Sequence, residues 1–267
     1  MAKLTFLGTG GGRFVTLMQE RSTGGLYLDD GTRVHVDPGP GALHALRRNL
    51  IDPTRTDALL ISHCHPDHYA NAETLIEGMV TGHKGKRGTL IAPRSVLKGS
   101  GRMGPGISRY HQEKLGRVHL TSPGDEWLLG RIKGRTTPSM HSDPYAVGFR
   151  FNTSSGVISY VADTELRREI IDAHMGARVL ILATTRPLRA RIPHHLSTED
   201  AAVFAERIEP ELCILTHLGK RFLIDGPTQQ AEWIKNRTGV PTIAANDDMV
   251  IHISDELQVS LPPRREA

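Results

Sequence analysis

The sequence predicts a layered α/β fold, formed as one domain over residues 1–267. Two observations lead to this prediction. The chain has 267 residues, a routine length for a single α/β domain, and 38% of them are hydrophobic, which is enough for a large core. Short apolar runs alternate along the chain with longer helical segments, and this alternation is typical of strands packed against helices.

The composition excludes several other classes of protein. Only two cysteines occur, Cys64 and Cys213, so a disulfide scaffold is excluded and a reducing, cytoplasmic location is expected. No run of about 18 apolar residues is present, so we expect no membrane-spanning helix and no membrane partner. The first residues lack the long apolar stretch of a signal peptide, so none is expected.

In the first half of the chain, alternating apolar residues and turn signals predict the elements. Residues 25–29 and 33–36 alternate around Asp29-Asp30-Gly31, which predicts a hairpin. Residues 58–62 form a short apolar run, which predicts a buried strand. Further strands are predicted at 3–7, 89–92, 117–121 and 127–131, and helices at 42–49 and 67–79.

The second half alternates strands and helices more regularly. Strands are predicted at 145–151, 156–161, 178–182, 211–215, 241–244 and 249–253, and helices at 164–175, 197–208 and 227–237. The helix over 197–208 has a clear start signal, because Ser197 or Thr198 can cap it and two acids follow in its first turn.

The charge distribution is uneven, although the formal net charge is only +4. Residues 84–117, the basic segment, hold a single acid, Glu113. Its nine bases are Lys84, Lys86, Arg87, Arg94, Lys98, Arg102, Arg109, Lys114 and Arg117. Two interpretations stay open: a solvated basic surface, and a docking surface for a polyanion or a phosphate-bearing substrate.

The strongest chemical signal is a histidine-rich run that directly follows the apolar strand at 58–62. Four potential metal ligands lie within six residues: His63, His65, Asp67 and His68. Imidazole and carboxylate are ligands that Zn²⁺, Mn²⁺ and Fe²⁺ accept. On a loop leaving a strand, the first two can point to one side and the last two to another, which suits two adjacent ions. The alternation directs Cys64 away from these ligands, so we expect it to pack in the interior.

The His-x-His-x-Asp-His pattern resembles the signature of the metallo-β-lactamase-fold hydrolases. That family also has a later histidine, an aspartate at a strand end and a last histidine after another strand. His141, Asp163 and His217 occur in that order and context. The resemblance covers about residues 3–253, and it implies a four-layer αββα sandwich with the metal site at one edge.

The resemblance also implies the ligand set. His63, His65 and His141 would hold one zinc ion; Asp67, His68 and His217 would hold the second; Asp163 would bridge the two. Mn²⁺ or Fe²⁺ is the alternative to zinc. Two such ions lower the pKa of a bridging water, and the resulting hydroxide is the implied nucleophile. Asp37 is expected to orient neighbouring groups rather than bind metal.

Within that superfamily, the sequence is most similar to the ribonuclease Z-like phosphodiesterase branch, through the stretches 195–202 and 215–222. This resemblance implies a phosphodiester substrate, with RNA as a candidate, and often a homodimer. It gives His195 the role of contacting the scissile phosphate or protonating the leaving oxygen. The mechanism that we expect uses Asp67 as a second catalytic group, which accepts the proton of the nucleophile. Three bases precede His195 and are candidates to clamp phosphate oxygens, or else belong to a solvated loop: Arg186, Arg189 and Arg191.

The sequence departs from that branch at three places. The branch has a glutamate that orients the catalytic histidine at the end of a strand, whereas residues 179–185 contain no acid. Asp163 is followed by Thr164-Glu165 where the branch has Thr-Arg. Only 22 residues separate His141 from Asp163, so there is no room for the tRNA-gripping arm that some members insert there.

Two other functions remain as alternatives to a phosphodiesterase. The first is a hydrolase of a thioester, a lactone or a β-lactam on the same fold. The second is a non-catalytic nucleic-acid-binding subunit that keeps the metal for stability. The seven-ligand set argues against the non-catalytic subunit, because a metal that only stabilises the fold does not need a site with an open coordination position.

Overall fold

The computed structural model describes residues 1–82 and 85–261, so Lys84 of the basic segment lies outside the described residues. The strands are β1 (Ala2–Phe6), β2 (Leu26–Asp29), β3 (Arg33–Val36), β4 (Ala58–Leu60), β5 (Arg87–Ala92), β6 (Leu115–Leu120), β7 (Glu126–Leu129), β8 (Ile132–Pro138), β9 (Val147–Thr153), β10 (Gly156–Val161), β11 (Val179–Ala183), β12 (Leu212–Thr216), β13 (Thr242–Ala244), β14 (Val250–Ile253) and β15 (Leu257–Ser260). The α-helices are α1 (Gly12–Met18), α2 (Ala42–Arg48), α3 (Pro66–Tyr69), α4 (Ala72–Val80), α5 (Arg94–Leu97), α6 (Arg109–Lys114), α7 (Arg168–Ala173), α8 (Thr198–Ile208), α9 (Lys220–Ile224) and α10 (Pro227–Thr238).

These strands form two sheets in the described part of the chain. The order of the first sheet is β15-β14-β1-β2-β3-β4-β5-β6, and the order of the second is β13-β12-β11-β10-β9-β8-β7. Strands β3 to β6 run parallel in the first sheet, and β10 to β13 run parallel in the second. Helices between parallel strands must cross over a sheet face, so each sheet has helices on its outer side.

The core between the sheets follows from the alternation of the strands. Leu28 and Val34 face the second sheet, and Phe149 and Ile181 face the first. All four side chains are almost fully buried. Burial of each such side chain contributes roughly 1.5–3 kcal/mol. This inter-sheet layer is therefore the largest stabilising element of the sandwich.

Two outer cores attach the helices. On the first sheet, Leu75 and Ile76 of α4 belong to one buried cluster with Leu59. On the second sheet, Phe204 of α8 and Ile234 of α10 belong to one buried cluster. The resulting order of layers is helix, sheet, sheet and helix. The predicted αββα sandwich is confirmed.

Most predicted elements are present, and the differences have local causes. The predicted helix 67–79 is split into α3 and α4, because the Asn71 amide donates to the Pro38 carbonyl at 2.9 Å instead of continuing the helix. The helix predicted at 164–175 is shortened to α7, because the Glu165 amide donates to the Met140 carbonyl at 3.0 Å. Sequence patterns missed the short elements α1, α5, α6, α9, β8 and β15.

The hairpin β9–β10 fills most of the chain between His141 and Asp163, as the short spacing predicts, and no tRNA-gripping arm occurs there among the described residues. None of the described helices is both long and apolar enough to cross a membrane. The single domain over residues 1–267 stays a prediction.

Candidate metal centre

Strand ends bring the candidate ligands to one edge of the sandwich. The His63–His65 loop leaves β4, and Asp67 and His68 lie on the short helix α3 that follows. His141 follows β8, and Asp163 and His217 follow β10 and β12 at their carboxyl ends. The carboxyl ends of parallel strands are the usual place for a ligand site in such sheets.

Three of the histidines form the first group. His63 Nε2 lies 3.0 Å from His65 Nδ1, and His65 Nδ1 lies 3.2 Å from His141 Nε2. A tetrahedral zinc ion with Zn–N bonds of about 2.0–2.1 Å would hold its ligand nitrogens about 3.3 Å apart. The three nitrogens therefore have the spacing of a single metal site.

The second group contains Asp67, His68 and His217. His217 Nε2 lies 3.2 Å from His68 Nε2 and 3.3 Å from Asp67 Oδ2. The remaining distance, from His68 Nε2 to Asp67 Oδ2, is 3.8 Å. This triangle is slightly wider than the first and can also hold one ion.

Asp163 lies between the two groups. Its Oδ2 atom is 3.6 Å from His68 Nε2 and 3.9 Å from His63 Nε2, so it faces both groups. Its Oδ1 atom is buried and lies 3.1 Å from His217 Nδ1, but it accepts no hydrogen bond of good geometry from a described residue. A buried carboxylate oxygen without a donor is costly unless a cation satisfies it. The position suits a carboxylate that bridges two ions.

The outer ring nitrogens of the histidines have fixed partners. His141 Nδ1 donates to the His194 carbonyl at 2.9 Å, and His68 Nδ1 donates to Asp37 Oδ2 at 2.9 Å. His63 Nδ1 donates to the Ser62 hydroxyl oxygen at 3.0 Å. In a neutral imidazole the other nitrogen then carries a lone pair. Lone pairs that face each other across about 3 Å repel, and a shared cation removes this repulsion.

Asp37 organises this outer shell, as expected. Its Oδ1 accepts the Ser62 amide at 2.7 Å, and its Oδ2 accepts the Ser62 hydroxyl at 2.7 Å. The Tyr160 hydroxyl also donates to Oδ2, at 3.0 Å. Three side chains are thereby tied to one carboxylate, which holds the ring of His68 in place. The sequence analysis did not identify Tyr160 as a residue of the site. Its hydroxyl group in an otherwise apolar strand is the signal that could have indicated a hydrogen-bonding role.

The electrostatics of the cluster favour bound positive charge. Burial lowers the pKa of His63 and lowers that of His141 to about 4, so both rings are neutral ligands at neutral pH. Burial alone would lower the pKa of His68, but the carboxylates of Asp67 and Asp37 raise it above its usual value. Burial likewise opposes ionisation of Asp163, yet the neighbouring histidines hold its pKa well below the usual range.

Glycines let the backbone approach the cluster. A Cβ atom on Gly11 would lie 2.3 Å from the ring of His217, so no larger residue fits there without a shift. The next amide, of Gly12, donates to Asp67 Oδ2 at 3.1 Å. The glycine run at 8–12 therefore forms a rim of the site.

His195 lies on the more exposed side of the cluster. Its Nε2 atom is 3.7 Å from Asp163 Oδ2, and its side chain is 23% exposed. Its Nδ1 atom donates to the Pro193 carbonyl at 3.1 Å. His195 is thus beside Asp163 and the ring of His141, and it is accessible from solvent.

The three arginines before His195 have other contacts. Arg186 Nε donates to the Ala190 carbonyl at 2.9 Å, within their own loop. An Arg191 guanidinium nitrogen lies 2.6 Å from Asp200 Oδ1, on the capping carboxylate of α8. Arg189 is exposed, and its amide donates to Glu199 Oε1 at 2.8 Å. The phosphate clamp stays a prediction.

Several bases of the basic segment are paired locally. Arg109 lies 2.7 Å from Glu113, and Lys114 lies 3.0 Å from Glu77. Arg87 lies 3.0 Å from Asp57, which Arg33 also contacts. These pairs remove much of the positive charge that the sequence pattern suggests.

The unpaired bases divide between two ends of the sheet. Arg94, Lys98 and Arg102 are exposed and form no ion pair with a described residue. Arg94 follows the carboxyl end of β5 and lies 5.9 Å from the ring centroid of Tyr145, which follows His141 in the chain. Arg94 therefore lies on the side of the metal centre, and Lys98 and Arg102 follow it in the chain. The other exposed bases without an ion pair among the described residues, Lys86 and Arg117, lie at the opposite end of β5 and β6.

Cys64 lies between the ligands in sequence but packs in the interior, as expected. It belongs to the buried cluster under α4. Burial raises the pKa of its thiol to about 11, so it is not a thiolate at neutral pH.

Comparisons with known proteins give the family. A model of the "Beta-lactamase superfamily domain" matches residues 32–218. The uncharacterized protein MJ1374 of Methanocaldococcus jannaschii is 40% identical over 246 residues, which cover 91% of this chain and 92% of that protein. Ribonuclease Z of Pyrobaculum islandicum is 27% identical over 260 residues, which cover 83% and 88%.

Among solved structures, the metallo-β-lactamase fold protein YhfI of Bacillus subtilis superposes with a TM-score of 0.78. It is 18% identical, and the match covers 94% of this chain and 99% of that one. The chain therefore belongs to the β-lactamase superfamily and has the metallo-β-lactamase fold.

Proposed function

We propose that this member of the superfamily is a metal-dependent phosphodiester hydrolase that acts on RNA. The observation that carries the proposal is the position of Asp163 between two three-ligand groups, with the accessible His195 beside it. The similarity to a ribonuclease Z supports the choice of a phosphodiester over other hydrolysable bonds.

The proposed ligands divide as the distances do. His63, His65 and His141 would hold one divalent cation, Asp67, His68 and His217 would hold the other, and Asp163 would serve both. Zinc fits the imidazole-rich set, and Mn²⁺ or Fe²⁺ is the alternative. When bound, such a pair of cations supplies an activated water and neutralises negative charge on the substrate phosphate.

His195 is the proposed proton donor. Since its Nδ1 atom is held by the Pro193 carbonyl, its Nε2 atom faces the centre. A protonated Nε2 can transfer its proton to the leaving oxygen of the substrate, a step worth roughly 10²- to 10⁴-fold in rate. Asp67, whose Oδ2 faces the same centre, is the proposed acceptor for the proton of the attacking water.

The basic trio Arg94, Lys98 and Arg102 supports RNA as the substrate class. All three bases are exposed, and Arg94 lies on the side of the centre, where a single-stranded polyanion passing the centre would reach it. A homodimer and a cytoplasmic location remain part of the proposal. The three arginines at 186–191 remain candidate phosphate contacts.

Hydrolysis of bis-p-nitrophenyl phosphate tests the reaction type. Protein treated with a chelator should be inactive, and Zn²⁺ or Mn²⁺ should restore turnover. A thioester and a lactone are assayed beside it, and faster turnover of either would favour the carbonyl hydrolase. RNA binding without any cleavage, in protein with its full metal content, would favour the non-catalytic subunit.

A further inference from the structure

We infer that Glu165 is a positioning residue that holds His195 in place through the peptide of His194. This inference rests on the proposed function, because it assigns how the proton donor of that reaction is oriented. The acid that the related branch carries at the end of its strand is missing from residues 179–185. Glu165 reaches the same histidine loop from a different strand end.

The contacts of Glu165 converge on His194. Its Oε1 atom accepts the His194 amide at 3.1 Å and lies 3.2 Å from His194 Nδ1. The carbonyl of the same residue accepts the proton of His141 Nδ1 at 2.9 Å. The His194 residue is therefore held on one side by the acid and on the other by a proposed metal ligand.

The conformation of His194 needs this support. Its φ is +66°, in the left-handed region that residues with a side chain rarely adopt. Such a conformation persists only where surrounding contacts determine it. It sets the direction of the next residue, His195, whose Nε2 lies 3.7 Å from Asp163 Oδ2. Releasing the His194 amide would let this loop relax and turn the His195 ring away.

The carboxylate of Glu165 is itself well anchored. The Glu165 amide donates to the Met140 carbonyl at 3.0 Å, and the Met140 amide donates to Thr164 Oγ1 at 2.9 Å. Arg167 donates to the second carboxylate oxygen of Glu165 at 2.8 Å. Because Met140 precedes His141 and Glu165 follows Asp163 by two residues, the acid joins the loops that carry these two side chains to the loop of His195.

The strand end that lacks the acid has a different role here. The Thr185 hydroxyl lies 2.9 Å from His217 Nδ1, so this position orients a proposed ligand. An acid on the neighbouring loop then supplies the support that the His195 loop needs. The replacement of Thr-Arg by Thr164-Glu165 after Asp163 has this structural consequence.

A pair of substrates with different leaving groups tests the inference. When a dinucleoside monophosphate (the dinucleotide) is hydrolysed, a nucleoside leaves as an alkoxide and needs a proton, whereas p-nitrophenolate leaves bis-p-nitrophenyl phosphate without one. We expect Glu165→Ala to lower kcat on the dinucleotide about 100-fold, the scale of a lost proton donor. On bis-p-nitrophenyl phosphate the loss should stay within about threefold, with KM and metal content unchanged.

Three further variants sharpen the test. Glu165→Gln keeps an acceptor for the His194 amide and should recover much of the kcat on the dinucleotide. Glu169→Gln, the same substitution at an exposed acid four residues away, should leave kcat on both substrates unchanged. His195→Ala should reproduce the pattern of Glu165→Ala, and the double variant should be no slower than His195→Ala alone.

The outcomes separate the inference from the proposed function. Equal losses on both substrates together with lost metal would show a merely structural role for Glu165 and overturn the inference. An unchanged rate of Glu165→Ala on the dinucleotide, with a slow His195→Ala, would overturn it as well. Wild-type protein that is loaded with metal and cleaves neither diester would overturn the proposed function, and the inference with it.

Discussion

The candidate metal centre and the basic segment were both predicted from an excess of one residue type, but their side chains are arranged differently in the structure. Side chains that are far apart in the chain meet in the centre, as His68 and His217 do at 3.2 Å. In the basic segment, Arg94 and Arg117 lie at opposite ends of the sheet. Arg109 and Lys114 form ion pairs with acids nearby.

The difference teaches where a sequence pattern is informative. Ligands that directly follow buried strands have a position fixed by the sheet, so their order in the chain predicts a meeting point. Exposed bases have long flexible side chains and find local partners, so their number alone predicts little. Four predictions test this comparison.

The largest effect is expected from Asp163→Ala. It removes the carboxylate that faces both ligand groups, so we expect activity on bis-p-nitrophenyl phosphate to fall at least about 10³-fold and bound metal to be lost. Metal content by elemental analysis and turnover are measured together. Full metal content in an inactive variant would contradict the bridging role. Asp172→Ala, at an exposed acid on α7, is the control.

A buried histidine outside the centre should affect stability rather than metal. Burial lowers the pKa of His174 to about 3, against an ordinary value of 6.5, and its Nδ1 lies 2.6 Å from the Ser159 hydroxyl. Below pH 6.5 the unfolded chain binds a proton that the folded chain does not, so the free energy of unfolding decreases as the pH is lowered. This contribution reaches about 3 kcal/mol between pH 6.5 and 4.

His174→Gln should remove this dependence. The free energy of unfolding is measured by urea denaturation of chelator-treated protein from pH 8 to pH 4, and the difference between wild type and variant should narrow as the pH falls. A constant difference across that range would mean that His174 does not remain neutral in the folded protein.

Asp37→Asn should weaken the centre without removing a ligand. Because Asp37 accepts the Nδ1 proton of His68, we expect a 10- to 100-fold loss of metal affinity, of the order found for such supporting carboxylates. Competition with a chromophoric chelator measures the affinity. Tyr160→Phe, which removes one donor to Asp37, should lose less, and an equal loss in both variants would contradict the special role of the carboxylate.

The smallest effect is expected from the basic trio. Replacing Arg94, Lys98 and Arg102 by glutamine should lower affinity for single-stranded RNA roughly tenfold and reduce the salt slope of log K by about 2, as expected for three phosphate contacts. Turnover of bis-p-nitrophenyl phosphate should not change. The control is Lys86→Gln with Arg117→Gln, at the far end of the same strands. An equal salt slope in wild type and the trio variant would favour a solvated surface.

The four-layer fold and the full set of candidate ligands were implied by the resemblance to the metallo-β-lactamase fold, and that resemblance rests on local signals in the sequence. Strand runs such as 58–62 are recognisable from apolar residues alone, and the ligand motif follows the strand directly. The supporting contacts could not be predicted in the same way. Thr185 and Glu165 carry no motif, and each meets its histidine only because separate strands end at the same edge.

By itself, the sequence determined the α/β class, the positions of most strands and helices and the polar residues that follow the strands, because apolar runs and turn residues mark these positions. The four-layer arrangement followed from the resemblance to the metallo-β-lactamase fold. Only the tertiary structure decided which acids support which histidines, which bases keep a free charge, and that Glu165 reaches His194. These outcomes depend on distances between loops that are remote in the chain. Hydrogen bonds and ion pairs form only over a few ångströms, and sequence spacing does not specify such distances.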